Sequence, residues 1–406
     1  MIAWLLVAWA IASVVVVDGL RLLAALVACR RRRAAPPTPL DGASIAVVCP
    51  FRGAEEGARS KHESLVDQRY RSLDVVFAAE AADDPGAVAV RAACAAAPER
   101  ARFVVSGSDP RVLSGKARNM IAGWNATSAE FVAFCDADLA LSADDVASCL
   151  PLFDAPRVGA VFVPCLFDAR GPAGRLVMLT ATVDASVLIR AAAAVDVLPF
   201  LQGGLMMIRR SALEAAGGIG VVADAISDDL RLARVLRRAG FVLRATARTL
   251  VHHTPKEGAG TWLARYHRWM VCQRTDAPAG FWLMLWLHPL VVPLLAAALA
   301  PARARWLLAL AACALLVELA YSAWVDRRIL RPLGLGLGAR VLFRPVANLA
   351  HFAVCVGAVL YPIVHWRGRR YLLGTNGRIR RAHESIRATD IAVATAEPLA
   401  QPSGAR

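Results

Sequence analysis

The sequence predicts an α/β domain that is built on a largely parallel sheet and set between membrane-spanning helices. Segments with strand and helix patterns alternate from about residue 44 to residue 250, which is typical of a parallel sheet covered by helices on both faces. The composition indicates a membrane: 57% of the 406 residues are hydrophobic and the mean hydropathy is +0.47, too high for an ordinary soluble domain. Apolar segments towards both ends of the chain indicate where the spanning helices lie.

The first apolar segment, IAWLLVAWAIASVVVV at residues 2–17, continues to Cys29 with Asp18 and Arg21 as interruptions. As a helix it is long enough to span a bilayer, and the two charged residues, one turn apart, offset each other. We expect an anchor and not a cleaved signal peptide, because the positive charge follows the apolar run and no small-residue cleavage site is evident. The four arginines at residues 30–33 predict that the following domain faces the cytoplasm.

The formal net charge of +15 predicts an anionic partner. Many of the arginines flank apolar segments, so the charge favours a negative lipid surface over nucleic acid. Nine cysteines are scattered without a C-x-x-C pair, which argues against disulfides and structural zinc and favours a reducing, cytosol-facing compartment.

The elements of the central region follow in a regular order. The predicted strands are SIAVVCP, LDVVFAA, RFVVSG, FVAFCDADL and VGAVFVPCLF. The predicted helices are GAVAVRAACAAA, GKARNMIAGWNA, SADDVASCLPLF and SDDLRLARVLRRAG; Ser142 and Ser227 are the expected N-caps of the last two, and Gly240 ends the last. The carboxyl ends of parallel strands meet at one edge of the sheet, where such domains bind their ligands.

The C-terminal half begins with GTWLARYHRWMVCQR at residues 260–274, which predicts an amphipathic helix on the membrane interface. Three apolar segments follow at about 281–300, 305–325 and 341–365. Three crossings would put the basic segment 367–381 on the far side of the membrane, against the positive-inside rule. Either one segment is therefore re-entrant or interfacial, or the rule is broken.

The chain divides into six predicted parts. They are an N-terminal transmembrane anchor (1–33), a linker (34–43), the α/β catalytic domain (44–258), an interfacial amphipathic helix (259–280), C-terminal membrane segments (281–366) and a basic tail that becomes disordered (367–406). The disorder is expected after about residue 385.

Two carboxylates one residue apart, Asp136 and Asp138, end the fourth predicted strand. Hard divalent ions such as Mg²⁺ and Mn²⁺ take oxygen ligands and share their coordination with substrate phosphates. The pair is therefore a candidate clamp for a metal ion and a diphosphate. Taken alone, it is explained at least as well by a solvated strand end.

Other polar residues follow neighbouring elements. Asp83 and Asp84, after the second strand, either hydrogen-bond a base or ribose or close a turn. Lys116 lies at the start of a helix, and such an amide-rich end suits a phosphate, although a surface lysine is as common there.

Two further pairs have two explanations each. Asp228 and Asp229 lie in the first turn of a helix, where carboxylates offset the helix dipole, but one that faces the crevice would be a general base. His252 and His253 are candidates for a third metal ligand or a polar wall of the crevice. Adjacent histidines in a loop are often only solvated.

The order of these motifs is more specific than any one of them. Asp-Asp, D-x-D, S-D-D and then R-x-x-R-W, in RYHRW at 265–269, follow one another between apolar segments. In this order the sequence resembles the membrane-bound inverting GT-A glycosyltransferases of families 2 and 21. The resemblance is closest to the ceramide glucosyltransferase branch and its bacterial relatives, which include hopanoid glycosyltransferases. EAAGGI at 214–219 and HWRGRRYLL at 365–373 extend the likeness to roughly residues 44–375.

The resemblance implies a GT-A catalytic domain with N-terminal and C-terminal transmembrane helices, and a role for each matching residue. Asp229 is the expected catalytic base. Nucleotide-sugar binding is assigned to Asp83, Asp84, Lys116, Asp136, Arg265, Arg268 and Trp269, and binding of Mg²⁺ or Mn²⁺ to Asp136 and Asp138, with His253 as a further candidate.

It further implies inverting transfer of a sugar, with glucose as the expected one, from a UDP-sugar to the hydroxyl headgroup of a ceramide-like membrane lipid. A hopanoid or another lipid acceptor, with UDP-GlcNAc or another donor, is the main alternative. A processive polysaccharide synthase shares the motifs but usually needs more spans, and an idle membrane scaffold is the alternative from another class. The expected location is the bilayer of the bacterial inner membrane, with the catalytic domain in the cytoplasm and no nucleic acid partner.

Overall fold

The computed structural model describes residues 1–28, 42–169, 171–194, 198–254 and 257–384. Its strands are β1 (Ile45–Pro50), β2 (Leu73–Ala79), β3 (Ala101–Val105), β4 (Phe131–Cys135), β5 (Val158–Val163), β6 (Cys165–Asp168), β7 (Leu205–Arg209), β8 (Val242–Ala245), β9 (Leu250–His253), β10 (Ile363–Trp366), β11 (Arg369–Leu373) and β12 (Ile379–Glu384). Its α-helices are α1 (Ile2–Ala28), α2 (Ala58–Val66), α3 (Ala87–Ala96), α4 (Gly115–Asn125), α5 (Pro172–Ala194), α6 (Arg210–Ala215), α7 (Asp228–Arg238), α8 (Ala259–Asp276), α9 (Pro278–Trp286), α10 (Val291–Leu299), α11 (Ala304–Val325) and α12 (Arg344–Leu360).

Seven strands form the central sheet in the order β3-β2-β1-β4-β7-β5-β8. Neighbouring strands run parallel, except that β7 is antiparallel to β4 and β5. Alternate residues of β1 enter two separate apolar cores, Val47 and Cys49 on one face and Val48 on the other. Because both faces are covered, β1, β4 and β5 are buried along their whole length. The predicted α/β class is confirmed.

The sheet order reverses between β1 and β4, since β2 and β3 follow on one side of β1 and β4 lies on the other. Such a switch point leaves a crevice at the carboxyl ends of the strands. α4 packs closely over β1, because a Cβ at Gly123 would lie 2.3 Å from Val48 Cγ1. This close approach brings the first turn of α4, with Lys116, to the crevice.

The prediction of an α-helix for SADDVASCLPLF is wrong. A 3-10 helix, Ala147–Leu152, forms there, and Ser142 is not a helix N-cap. Asp145 Oδ2 instead accepts a hydrogen bond from the Ser142 amide at 2.6 Å, and Asp145 Oδ1 accepts one from Arg248 at 2.9 Å. These contacts fix a tight turn, and Pro151 removes a further helical donor.

The segment VGAVFVPCLF, predicted as a single strand, forms two strands. Pro164, which lies between β5 and β6 in the chain, has no N–H to donate to a neighbouring strand. β6 pairs with β9 in a separate two-stranded sheet, with Asp168 opposite His253. α7 begins after Ser227 and ends before Gly240, as predicted, although the Ser227 side chain makes no capping hydrogen bond.

In the described part of the chain, four helical stretches are long and apolar enough to cross a membrane. They are α1, α5, Pro301–Leu333 with α11, and Gly338–Leu360 with α12. α9 and α10 form a further candidate that is bent by 48°. The predicted N-terminal apolar helix is confirmed as α1, whereas the arginines at 30–33 and the tail after 385 lie outside the described residues.

α5 is a long apolar helix that the sequence analysis did not predict. Two strands of the central sheet, β5 before it and β7 after it in the chain, pair directly with each other. A single crossing of the membrane by α5 is therefore incompatible with the topology. Ile189 of α5 packs on the core of the sheet, while Leu179 and Val183 pack with residues of α1 and α11. α5 is thus the contact layer between the α/β domain and the membrane helices.

β10, β11 and β12 form a three-stranded sheet where the sequence analysis expected only a basic tail. This C-terminal sheet rests on the α/β domain: the Ile379 amide donates to the Asp224 carbonyl at 2.7 Å, and Arg369 lies 3.3 Å from Glu80. The chain must therefore cross the membrane an even number of times between the α/β domain and β10. α10, α11 and α5 pack on α1, whereas α12 packs mainly on α8 and α5.

Charged residues meet between α1, α5, α11 and α12. Arg344 Nη2 lies 2.8 Å from both carboxylate oxygens of Asp184. Arg21 contacts Asp18 at 3.2 Å, Asp184 at 3.6 Å and Glu318 at 3.4 Å. The predicted pairing of Asp18 with Arg21 is confirmed, and it belongs to a larger network. We call these five residues the helix cluster.

Candidate active site

The D-x-D pair lies on the turn that follows β4, at the crevice. The Asp136 amide donates to the Gly204 carbonyl at 2.9 Å, and Asp136 Oδ1 lies 2.7 Å from Lys116 Nζ. Loss of water in the crevice raises the pKa of Asp138, His252 opposes this shift, and the charge of Asp136 adds to it. The two carboxylates therefore lie close enough to act on each other.

Lys116 is the second residue of α4, whose N-cap Ser114 accepts a hydrogen bond from the Ala117 amide at 3.4 Å. Its ammonium lies 2.7 Å from Asp136 and 3.0 Å from Asp228. Burial opposes the charge, but these two carboxylates hold the pKa of Lys116 above its ordinary value. Lys116 therefore stays charged and joins two of the predicted motifs.

Asp229 is fixed by backbone amides. Its Oδ2 accepts from Gly203 at 2.9 Å and its Oδ1 from Leu230 at 2.8 Å. A Cβ at Gly203 would lie 3.5 Å from Asp229 Oδ2 and 3.7 Å from Asp136 Oδ2, so glycine keeps the space between these carboxylates open. Burial, and then the neighbouring Asp228, raise the pKa of Asp229 to about 6. A carboxylate with this pKa is suited to accept a proton near neutral pH.

The two adjacent histidines point to opposite sides of β9, because side chains alternate along a strand. His252 is buried with Nε2 3.5 Å from Asp138 Oδ2, and burial lowers its pKa, so it is neutral near neutral pH. His253 is exposed, with Nδ1 3.1 Å from Asp168 Oδ2. The structure thus brings His252, and not the candidate His253, to the D-x-D pair.

Trp269 of α8 reaches the crevice through aromatic contacts. Its ring centroid lies 5.1 Å from that of Phe167 and 6.2 Å from that of Tyr266. Phe167 in turn packs on His252, with 5.0 Å between the centroids. Two rings, those of Phe167 and His252, therefore separate Trp269 from the D-x-D pair, and Trp269 shapes the wall of the crevice.

The two arginines of R-x-x-R-W lie on the same helix. The guanidinium carbon of Arg268 lies 5.2 Å from the centroid of Trp366, and the charge of Asp136 acts on it. Arg265 pairs with Glu257 at 2.9 Å, but its Nη1 is buried and has no hydrogen-bond partner among the described residues. A buried guanidinium with an unused donor is suited to an anion.

Asp84 ties two crevice loops together. Its Oδ1 and Oδ2 accept from the Gly53 amide at 2.8 Å and 3.1 Å, and Oδ1 also accepts from Gly86 at 2.8 Å. Asp84 thereby joins the loop after β1 to the loop after β2. Asp83 is exposed on the second of these loops.

Sequence reasoning missed Glu80 and Arg118. Glu80 directly follows β2, and its Oε1 lies 3.0 Å from Arg118 and 3.3 Å from Arg369. Partial burial favours the neutral acid, but the hydrogen bond from Arg118 and the charge of Arg369 hold the pKa of Glu80 below its ordinary value. The sequence did contain a signal for Glu80: it is a carboxylate directly after a strand, which is the pattern that identified Asp136 as a candidate.

The crevice therefore collects side chains from four separate motifs. We call this set the crevice cluster; it comprises Lys116, Asp136, Asp138, Asp228, Asp229 and His252. Its carboxylates outnumber its lysine, so it attracts cations.

Comparison with solved structures assigns the fold. The mannosyltransferase PcManGT from Pyrobaculum calidifontis, solved in complex with GDP-Man and Mn²⁺, has a TM-score of 0.56 and 23% identity, covering 88% of this chain and 99% of its own. Glucosyl-3-phosphoglycerate synthase from Mycobacterium tuberculosis, in complex with phosphoglyceric acid, has a TM-score of 0.40 and 20% identity, covering 58% of this chain and 80% of its own. The fold and the crevice define a glycosyltransferase of the GT-A type.

The family is shown by the sequence over nearly its whole length. The family model of glycosyl transferase family 21 matches residues 5–379, and the chain belongs to that family, the ceramide glucosyltransferase family. The predicted resemblance and the predicted transferase class are confirmed. No curated protein matches the sequence at a significant level.

Proposed function

We propose that the protein is an inverting glycosyltransferase that moves a sugar from a UDP-sugar to a hydroxyl of a membrane lipid. The observation that carries this proposal is the pair of carboxylates that face each other across Gly203. Asp136 belongs to the D-x-D side of the crevice, whereas Asp229 has a pKa raised to about 6. One site thus offers a place for the leaving group and a base for the acceptor.

Negative charge builds on the leaving nucleoside diphosphate as its bond to the sugar breaks. Lys116 at the start of α4 and Arg265 and Arg268 on α8 supply cations for it, and Arg265 has an unused donor. Such preorganised groups act strongly in a crevice with little water, and each is worth about 10²- to 10³-fold in rate.

The residues of the crevice fit a divalent ion. Asp136, Asp138 and the neutral His252 offer oxygen and nitrogen ligands of the kind that Mg²⁺ and Mn²⁺ accept. Among the described residues no three His, Cys, Asp or Glu side chains complete such a site alone, so phosphate oxygens of the donor would supply the remaining ligands. When bound, the ion neutralises charge on the diphosphate.

Asp229 takes the proton of the acceptor hydroxyl as that oxygen attacks the anomeric carbon from the side opposite the diphosphate. The new C–O bond forms while the bond to the diphosphate breaks, so the configuration inverts in one step. The amides of Gly203 and Leu230 fix the two oxygens of Asp229 and leave a lone pair on each for the proton.

The surroundings of the crevice support a lipid acceptor. α8, which carries Arg265 and Arg268, packs on α12 and α5 beside the membrane helices. Large apolar side chains of this layer are exposed, among them Leu263, Val346 and Leu349. A lipid on this layer presents its headgroup to the crevice while its chains stay in the bilayer. We propose glucose as the sugar and a ceramide-like acceptor, in the bacterial inner membrane with the α/β domain in the cytoplasm.

Product analysis tests the proposal. Purified protein in lipid nanodiscs receives UDP-glucose, Mg²⁺ or Mn²⁺ and ceramide, with a hopanoid alcohol and UDP-GlcNAc in parallel reactions. Mass spectrometry is expected to find one hexose on ceramide. If product forms only with the hopanoid alcohol or with UDP-GlcNAc, those substrates replace ceramide or UDP-glucose in the proposal. A ladder of saccharides indicates a processive synthase. The absence of both sugar transfer and donor hydrolysis, with every nucleotide sugar tried, would contradict the proposal.

A further inference from the structure

The C-terminal sheet is fixed between the α/β domain and α8. Arg234 of α7 donates to the Asn376 carbonyl at 2.9 Å. On the other side, Tyr371 of β11 is buried in the apolar cluster that contains Trp262 of α8. The sheet therefore contacts both parts of the molecule that contribute residues to the crevice.

β10 and β11 are joined by a tight turn of two residues, Arg367 and Gly368, between the paired Trp366 and Arg369. Their φ values of 51° and 73° lie in the left-handed region, as in a type I′ turn, which favours Asn and Gly. An arginine is costly at such a position, so contacts must hold it. Arg367 forms an ion pair with Glu55, in the loop after β1.

Arg369 lies at the start of α4. Its Nη1 is 3.2 Å from where a Cβ on Gly115 would be. Gly115, which directly precedes Lys116, therefore leaves room for the Arg369 guanidinium. Its Nη2 lies 3.3 Å from Glu80. The Arg369 side chain is 13% exposed, whereas that of Arg367 is 46% exposed. Arg369 is therefore held in place, and Arg367 has room to change its partner.

Like charges meet beside this hairpin. Burial lowers the pKa of Arg268, and the charges of Arg265 and Arg367 act in the same direction, whereas Cys272 and Asp136 act against it. Trp366, the residue before the turn, lies against Arg268 with 5.2 Å from the ring centroid to the guanidinium carbon. An anion placed among these three guanidinium groups would relieve their repulsion.

We propose that Arg367 is a binding residue for the diphosphate of the nucleotide sugar, carried to the crevice by the β10–β11 hairpin. This inference rests on the proposed function. Without donor, Glu55 holds the Arg367 guanidinium; with donor, phosphate oxygens replace this carboxylate as a bidentate partner of higher charge. Arg369 keeps the hairpin in place through Glu80.

Calorimetric binding of UDP and of uridine to the full-length protein in nanodiscs, with Mn²⁺ present, tests this role. Arg367→Ala is expected to weaken UDP binding about ten- to a hundredfold, the range for one charged hydrogen-bonded contact, and to leave uridine binding unchanged. Arg370→Ala is the matched control, because Arg370 is exposed on the other face of β11. It is expected to bind UDP as the wild type does.

Two further variants separate binding from support of the turn. Glu55→Gln removes the same ion pair but keeps Arg367, so its UDP affinity is expected to equal or exceed that of the wild type. Arg367→Gly suits the positive φ of the turn, serves if Arg367→Ala does not fold, and is expected to lose the same affinity.

Equal losses of UDP affinity in Glu55→Gln and Arg367→Ala would mean that Arg367 only supports the hairpin, and would overturn the inference. Wild-type UDP affinity in Arg367→Ala or Arg367→Gly would overturn it as well. A wild-type protein that binds no UDP contradicts the proposed function itself, and the inference with it.

Discussion

The helix cluster and the crevice cluster both bury charge, but they are built differently. In the helix cluster, Arg344 is fully buried and binds both oxygens of Asp184 at 2.8 Å. In the crevice cluster, Lys116 lies between Asp136 and Asp228, and further carboxylates crowd the same space. In the helix cluster two arginines nearly balance three carboxylates, which supports a fold, whereas the larger excess of carboxylate in the crevice cluster attracts cations and raises the pKa of a base.

The two constructions predict different costs for the loss of one charge. Removal of one partner from a buried pair leaves the other charge uncompensated, which destabilises a protein by about 3–5 kcal/mol. Removal of one carboxylate from the crevice cluster relieves repulsion, for instance between Asp228 and Asp229. The helix cluster should therefore affect folding, and the crevice cluster should affect the reaction.

Among the charges that contact Lys116, a large effect is expected for Asp136→Asn. This change removes a negative charge that contacts Lys116, and with it a ligand for the metal and diphosphate. Transfer should fall about 10²- to 10³-fold, with the unfolding temperature not lowered. Asp144→Asn is the control, since Asp144 pairs with Arg69 at 3.2 Å outside the crevice. Full activity of Asp136→Asn in an assay of sugar transfer would show that Asp136 does not bind the metal ion or the diphosphate.

The next effect concerns stability. Arg344→Leu removes the nearest cation from Asp184, which keeps Arg21 at 3.6 Å and is 37% exposed, so the free energy of unfolding should fall by about 1–3 kcal/mol, as followed by thermal unfolding in detergent. The affinity of the remaining folded protein for UDP should be unchanged. The double change Arg344→Leu with Asp184→Leu should recover much of the loss. If the Arg344→Leu protein is stable but does not transfer sugar, the helix cluster takes part in the reaction and does not only support folding.

The pH dependence of transfer follows from Asp229. Its pKa is raised to about 6, and the base must be ionised to accept a proton, so activity is lost as the pH falls through that value. The rate at saturating substrates should decline about tenfold per pH unit below the pKa. UDP affinity measured over the same range is the control. A rate that stays level down to pH 5 would exclude Asp229 as the base.

The smallest effect separates the two histidines. His252→Ala should raise the metal concentration needed for half-maximal transfer about tenfold, because His252 lies 3.5 Å from Asp138. His253→Ala should behave as wild type, since His253 contacts Asp168 at 3.1 Å instead. The reverse result would show that β9 presents the other side chain to the metal.

The parts of the fold that the sequence predicted well have local signals. β1 is a continuous apolar run, β2 is apolar except for Asp74, and α7 has acidic residues in its first turn and Gly240 after its end. The helix predicted after Ser142 failed because Asp145 folds back onto the Ser142 amide, which a propensity does not reveal. α5 was missed because its apolar surface is divided among three cores.

The site was predictable to the extent that strand ends meet. Asp136 and Lys116 follow from the order of a parallel sheet, and the structure brings them within 2.7 Å. The pairing of Arg369 with Glu80 was not predictable, since the two residues lie 289 positions apart with no local signal that joins them. The choice between His252 and His253 depends on the phase of a strand of four residues, which is too short to show it.

In the proposed reaction, Asp229 removes the proton of the acceptor hydroxyl. The direct test is a single-turnover assay of sugar transfer, with UDP affinity measured in parallel, for the wild type and Asp229→Asn. We expect transfer by Asp229→Asn to fall about 10²- to 10⁴-fold, the contribution of a general base, while UDP affinity is retained. Transfer by Asp229→Asn at the wild-type rate would contradict it.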